Sequence, residues 1–268
     1  MTTINTITPI HGKNISEAWA HALVRCMDAG GRILAPGIVS FDVKEEDNSW
    51  KLETSEIRQA LDNQLSAFGI VSANQSNVET VAGTIFPESI WKRCCGNREK
   101  LFKEYEKMWP LISKCKRAAN VRGTYFRRLT AFGEKGTNQL EKIINAWNNG
   151  THRHSALQAG IFDPTQDHRE TPFLGFPCLQ QVVFHPIGPK GKGGMTVVAF
   201  YAKQLLLEKA YGNYLGLYRL GEFMAGEMGM RLRRVTCIAS DLSLSDKHGK
   251  RECLPLVERI KKALTDGN

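Results

Sequence analysis

The sequence predicts an α+β fold in a single domain, and three observations carry that reading. Segments with helical spacing of apolar residues are interleaved with short strand-like runs. Two of those runs, Gln180–Pro186 and Met195–Tyr201, are joined by a turn-rich connector that makes an antiparallel hairpin. No linker, repeat or low-complexity tract divides the 268 residues.

In chain order, Ser16–Ala29 is a helix with Ser16 as N-cap and Gly30-Gly31 as its stop. Ile33–Val43 is strand-like and broken at Pro36-Gly37, and Ser55–Phe68 is a second helix. The run from Trp91 to Lys114 reads as helical as far as Pro110, with Leu101, Tyr105 and Met108 on one stripe. Asn138–Asn148 is helical and ends at Asn149-Gly150. The hairpin connector IGPKGKGG has neither the strand-loop-helix context nor the Lys-Ser/Thr ending of a phosphate-cradling loop, so it reads as a turn. Tyr211–Gly229 has the clearest helical period, with Tyr214, Leu217, Tyr218, Gly221, Met224 and Met228 on one face. Gly216, Gly221 and Gly226 there leave room for close packing, as in a buried helix. Arg231–Ala239 follows as a strand, Ser240–Gly249 as a polar loop, and a last helix lies near Leu256–Leu264.

Composition bounds the function. With 42% hydrophobic and 24% charged residues, the chain is neither collagen-like, disordered nor a coiled coil. No apolar run approaches the roughly 20 residues that span a bilayer, and the start MTTINTITPI lacks the parts of a signal peptide; a cytoplasmic protein with no membrane partner is expected. Seven scattered cysteines, an odd number, argue for reduced thiols rather than a disulfide framework, and no Cys/His set has zinc spacing, so no metal is expected. The net charge of +9 is concentrated between Lys92 and Arg128, which reads either as a solvated helix face or as a surface for anionic partners.

The segment Gly175-Phe176-Pro177-Cys178-Leu179-Gln180-Gln181 is the strongest candidate for chemistry. Pro177 fixes its own φ and a strand begins directly after it, so Cys178 stands at a loop-to-strand junction. A thiol there is either packed and inert or held rigidly at the rim of a cavity, where positive potential could make it a nucleophile.

The order Pro177-Cys178, strand, hairpin, strand, and then a helix entered as Tyr211-Gly212-Asn213, resembles thymidylate synthase and the related pyrimidine nucleotide hydroxymethylases. Those enzymes carry a Pro-Cys nucleophile, two strands and a Pro-Phe-Asn that opens a long buried helix. A strand ending before an Asp and a polar sugar-binding loop follow in the family. Here Arg231–Ala239, Ser240-Asp241 and LSLSDKH fall in the same order. Looser matches are Gly31-Arg32 to the phosphate-loop arginine, VETVAGTIF with Glu79 to the catalytic glutamate, and Gly123-Thr124-Tyr125-Phe126-Arg127-Arg128 to a Tyr-Gly…Trp-Arg segment. Thr151-His152-Arg153-His154 lies near the paired arginines that reach across the family's dimer.

The resemblance implies a thymidylate synthase-like α+β fold with helices around a mixed sheet, and a homodimer with sheets back to back. It implies a one-carbon transferase that methylates or hydroxymethylates C5 of a pyrimidine nucleoside monophosphate, with 5,10-methylenetetrahydrofolate as donor. Cys178 would add to C6 of the base, Glu79 would organise water and shuttle protons, and Asn213 would read the pyrimidine edge, leaning toward uracil. Arg32, Arg127, Arg128, Arg153 and Lys203 would hold phosphate, and Asp241, Ser243 and Ser245 would line the base and sugar side. Nucleic acid is not an expected partner.

The departures are specific. Tyr201-Ala202-Lys203-Gln204-Leu205 stands where the family has Gln-Arg-Ser-x-Asp, so a lysine point charge replaces a guanidinium fork. Ser243 and Ser245 replace a His and a Tyr, Leu179 replaces a His after the Pro-Cys, and the sequence stops at Asn268 without a counterpart of the lid over the folate. The expectation is a diverged member with another nucleotide, sugar or donor, or a catalytically silent nucleotide-binding or assembly subunit of the same fold.

Overall fold

A computed structural model of the chain describes residues 7–31, 33–44, 47, 49–70, 77–115, 117–120, 122–150, 153–170, 175–188 and 192–266. The elements in order are β1 (Ile10–Gly12), α1 (Ile15–Asp28), β2 (Gly37–Asp42), α2 (Ser55–Ala67), α3 (Asn77–Ile85), α4 (Glu88–Arg93), α5 (Arg98–Ile112) and the single turn α6 (Arg117–Asn120). They continue with α7 (Tyr125–Thr130), α8 (Gln139–Asn148), β3 (Gln158–Gly160), the single turn α9 (Pro164–Asp167), β4 (Leu179–Ile187), β5 (Gly194–Leu205), α10 (Tyr211–Glu227), β6 (Arg231–Ser243) and α11 (Lys250–Asp266).

The strands form one mixed sheet in the order β1-β2-β6-β5-β4-β3. The expected hairpin is present, with β4 and β5 antiparallel from Leu179↔Tyr201 to Ile187↔Gly194. β5 and β6 run parallel and are connected through α10, which a hairpin cannot do. Residues alternate across the sheet as the pleat requires. Val182, Val197, Val235 and Val39 are buried, whereas the rows Gln181–Phe200–Ile238–Ile38 and Val183–Val198–Thr236–Ser40 are half-buried or exposed.

α10 is the central helix because its glycines let neighbouring backbone come close. A Cβ on Gly212 would lie 2.8 Å from the Val78 carbonyl oxygen, and one on Gly216 would lie 2.9 Å from that of Ala82, both on α3. A Cβ on Gly221 would meet Leu232 and Val197 of the sheet, whereas Gly226 faces open space. The close approach therefore runs through Gly212, Gly216 and Gly221 and does not extend to Gly226. Trp19 of α1 ties this core to the end of β5 by donating from Nε1 to the Leu206 carbonyl at 2.8 Å.

Several boundaries differ from the sequence reading for local reasons. α1 is capped by Asn14 rather than Ser16, the Asn14 side chain accepting from the Glu17 N–H at 3.0 Å, which leaves Ser16 inside the helix. The Trp91–Pro110 run is two helices, because Cys95 and Gly96 take φ of 48° and 76° and Asn97 caps α5 by accepting from the Lys100 N–H at 2.8 Å. α5 continues past Pro110 to Ile112, since a proline in a last turn forfeits only one backbone bond. β6 extends through Ser243 because its pairing with β5 runs on to Leu205↔Ser243. α11 begins at Lys250, six residues before the expected start, behind an exposed polar first turn that shows no apolar period. No helix among the described residues is long and apolar enough to cross a membrane.

Candidate functional site

Pro177 and Cys178 stand directly before β4, and their backbone is pinned on both sides. The Gln180 amide donates to the Pro177 carbonyl, and the Ala202 N–H of β5 donates to the Cys178 carbonyl at 2.9 Å. Across from them, β5 does not enter α10 directly. Leu206–Ala210 forms one π-helical turn, a wider loop of backbone that often marks functional segments. Asn77 of α3 holds this turn by donating to the Glu208 carbonyl at 2.8 Å. One turn later Asn213 follows Lys209 at i+4, so the two share a face.

These elements enclose a cavity of about 330 Å³ lined by Cys178, Asn213, Lys203, Gln204, Lys209 and Asp246, with Tyr125 and Phe176 on its other walls. The structure thus brings together three residues singled out in the sequence: Cys178, Asn213 and Lys203. Asn213 and Gln204 are buried amides, and the Gln204 Oε1 accepts from the Tyr214 hydroxyl at 3.1 Å. Lys203 is paired with Asp246 at 2.6 Å. Phe176 remains 39% exposed at the mouth, with its ring centroid 5.8 Å from that of Phe162.

The electrostatics at Cys178 are mixed. Burial pushes its thiol above the ordinary cysteine value, Lys209 and then Lys203 pull it back, and Asp246 adds to the rise. Its resting form near neutral pH is the thiol, and added positive potential is the route to a thiolate. Tyr125 is likewise raised, first by burial and then by Cys178, although backbone hydrogen bonds at Leu179 and Cys178 act in the opposite sense. The phenol group is therefore seated against the backbone that carries the sulfur.

The other sequence candidates are placed elsewhere. Glu79 points away from the cavity to Arg219, which grips it at 2.8 and 3.3 Å, with Arg58 at 3.5 Å. Burial alone would raise its pKa, but the hydrogen bond and charge of Arg219, joined by Arg58, hold the carboxyl below its ordinary value. Its carboxylate is held by Arg219 and Arg58 and is not part of the lining of the Cys178 cavity. Arg128 is buried and forked onto Asp167 at 2.6 and 2.8 Å, while also donating to the Ile161 carbonyl. Arg127 lies over the Trp109 ring and pairs with Glu106. Both arginines line a separate hollow of about 270 Å³ that meets the first at Gly123. Arg153 is exposed ahead of a short 3-10 turn, His154–Ala156. Asp241 faces Lys203 in the sheet register and accepts from the Ser243 hydroxyl. Ser245 donates to the Glu208 carboxylate and accepts from the backbone of Lys247 and His248, both at 3.1 Å, which braces the loop that carries Asp246. Arg32 lies outside the described residues.

Sequence reasoning did not single out Lys209, Asp246, Gln204 or Tyr125 as cavity residues, although the last three lie inside segments it quoted. Lys209 precedes Asn213 by one helical turn; Asp246 lies in the LSLSDKH loop, but its pairing with Lys203 depends on the extension of β6 to Ser243. The basic run around α5 is partly neutralised on its own surface, with Lys92–Glu88 at 3.1 Å and Lys107–Glu104 at 2.7 Å. Among the described residues no cluster of three or more His, Cys, Asp or Glu side chains is placed to hold a metal ion. No protein-family model matches this chain, and no curated protein matches it.

Proposed function

We propose that the chain is a diverged, thymidylate synthase-like enzyme acting at C5 of a pyrimidine nucleotide, with Cys178 as nucleophile. The observation that carries this reading is that Cys178 and Asn213, 35 positions apart in sequence, line one cavity with two lysines in its wall. In the reaction the Cys178 sulfur bonds to C6 of the base and the C5=C6 electron pair moves to C5 and the adjacent carbonyl. C5 would then bond to the one-carbon unit as that unit's bonds to the folate nitrogens break and the C5 proton passes to water. A hydride from the reduced folate (methyl) or hydroxide from water (hydroxymethyl) would add to the transferred carbon, and the S–C6 bond would break with its electron pair returning to the Cys178 sulfur as the C5=C6 double bond re-forms. Asn213 supplies both a donor and an acceptor to the edge of the ring, and Lys203 and Lys209 face the anionic end. A folate is the co-substrate implied by this reading, and the exposed ring of Phe176 at the mouth offers the flat apolar face that a pteridine stacks on. The half-exposed sheet rows containing Phe200, Ile238 and Val198 are the face through which two copies would pair.

The test is release of tritium from C5-labelled uridine, deoxyuridine, cytidine and deoxycytidine monophosphates with methylenetetrahydrofolate. Release by the wild type and none by Cys178→Ala supports the reading; equal release by both ends it. A second reading, a catalytically silent nucleotide-binding subunit, is favoured by the withdrawal of Glu79 from the cavity into its ion pair with Arg219. It predicts nucleotide-dependent stabilisation with no tritium release at all.

A further inference from the structure

Two buried amides line the Cys178 cavity, and they differ in how firmly they are held. The Asn213 side chain makes no hydrogen bond among the described residues, so its amide can turn and offer either end to a ligand. Gln204 is fixed. Burial keeps the Tyr214 phenol protonated, and its hydroxyl donates to the Gln204 Oε1 at 3.1 Å. Turning that amide over would strand both the Tyr214 hydroxyl hydrogen and Oε1, so the bond decides which end faces which way. The other end, Nε2, is buried with no acceptor among the described residues, in a side chain only 2% exposed. A donor buried in this way costs free energy that a ligand oxygen would return. At ring position 4, uracil carries a keto oxygen and cytosine an amino group. A fixed donor suits the first and opposes the second.

We propose that Gln204, oriented by Tyr214, is the residue by which the cavity selects a keto ring over an amino ring, while Asn213 binds both alike. This rests on the reading of the cavity as a pyrimidine nucleotide site and deepens it by moving the choice of base from Asn213 to Gln204. The Gln204 Nε2 donates to the 4-oxo group of uracil, and with cytosine it faces a second donor. Asn213 follows the ring instead, its Oδ1 accepting from N3–H of uracil or its Nδ2 donating to N3 of cytosine. Tyr214 is a positioning residue, outside the cavity lining, that acts through Gln204.

Thermal unfolding at alkaline pH is followed against uridine and cytidine monophosphates and their deoxy forms, in wild type, Gln204→Glu, Tyr214→Phe and Asn213→Ala. The half-saturating concentrations give a uracil-to-cytosine preference for each protein. Wild type favours uracil by about tenfold or more. Gln204→Glu keeps an acceptor for the Tyr214 hydroxyl but makes the other end an acceptor too, and reverses the preference. Tyr214→Phe conserves the core volume and releases the Gln204 amide, which brings the two bases to within about threefold of each other. Asn213→Ala weakens both and leaves the preference within about twofold of wild type. A preference unchanged in Gln204→Glu and Tyr214→Phe, one lost in Asn213→Ala, or a wild type that binds the bases equally or binds neither, overturns the proposal. None of these measurements needs turnover. Preferences as described with no tritium release from C5 would remove the enzymatic reading and leave the selectivity standing. Tritium release with a preference that Gln204→Glu does not move would do the reverse.

Discussion

The same substitution at two glycines of α10 is expected to have opposite effects. At Gly216 an added Cβ lies 2.9 Å from both the Ala82 carbonyl oxygen and the Ile85 Cβ, closer than such atoms approach. Neither neighbour is the free end of a flexible side chain, so α3 and α10 must separate. Overpacking of this kind costs roughly 1–3 kcal/mol, and the rigid contacts put Gly216→Ala toward the upper part of that range. Better helix propensity of alanine returns about 1 kcal/mol, which leaves a net loss of about 1–2 kcal/mol. At Gly226 the added Cβ meets nothing within 4 Å, so only the propensity gain remains and Gly226→Ala stabilises by about 0.5–1 kcal/mol. Urea denaturation of both variants gives the two differences. The thermal midpoints should move by about 2–4 °C per kcal/mol in opposite directions. Two variants that move the same way would refute the close approach of α10 and α3, and with it the wall of the cavity that Asn213 occupies.

Removing the guanidinium in Arg128→Met leaves the fully buried Asp167 carboxylate unpaired, and urea denaturation should show a loss of about 3–5 kcal/mol; a loss below 1 kcal/mol would mean that the pair is not buried as described. Glu79 has a depressed folded-state pKa, so its ion pairs add stability that is present above its unfolded-state value and lost as pH falls through the lower folded value. Thermal midpoints of Glu79→Gln should therefore fall below wild type at neutral pH and converge with it in acid, and a gap that is constant across pH contradicts this. Peptide mapping after limited alkylation near pH 8 should find the exposed Cys95 and Cys115 modified first, Cys178 later and Cys237 last, because burial pushes the Cys237 thiol far up. Modification of Cys237 ahead of Cys178 would contradict the burial pattern.

Elements with strong periodicity were legible in the sequence. The Tyr211–Gly229 helix and the Gln180–Tyr201 hairpin fall within two or so residues of α10 and within a few of β4 and β5. The parallel pairing of β5 with β6 was not, because it depends on where α10 lays the chain down rather than on any local pattern. Within the cavity, Cys178, Asn213 and Lys203 follow from sequence order. Glu79 did not come with them, since the arginines that capture it, Arg58 and Arg219, are 21 and 140 positions away and carry no local signal that they pair with it. Arg127-Arg128 read as a single basic doublet, yet consecutive helical positions point in different directions, and one became a buried staple while the other stacked on Trp109.

Intact-mass and peptide mass spectrometry of the protein mixed with 5-fluoro-substituted uridine, deoxyuridine, cytidine and deoxycytidine monophosphates, with methylenetetrahydrofolate present, tests the central claim most directly. One of these nucleotides should become covalently attached to the peptide holding Cys178, and the attachment should vanish in Cys178→Ala and weaken in Asn213→Ala. A protein whose mass is unchanged with every nucleotide, or an adduct that maps to another cysteine, would contradict the account.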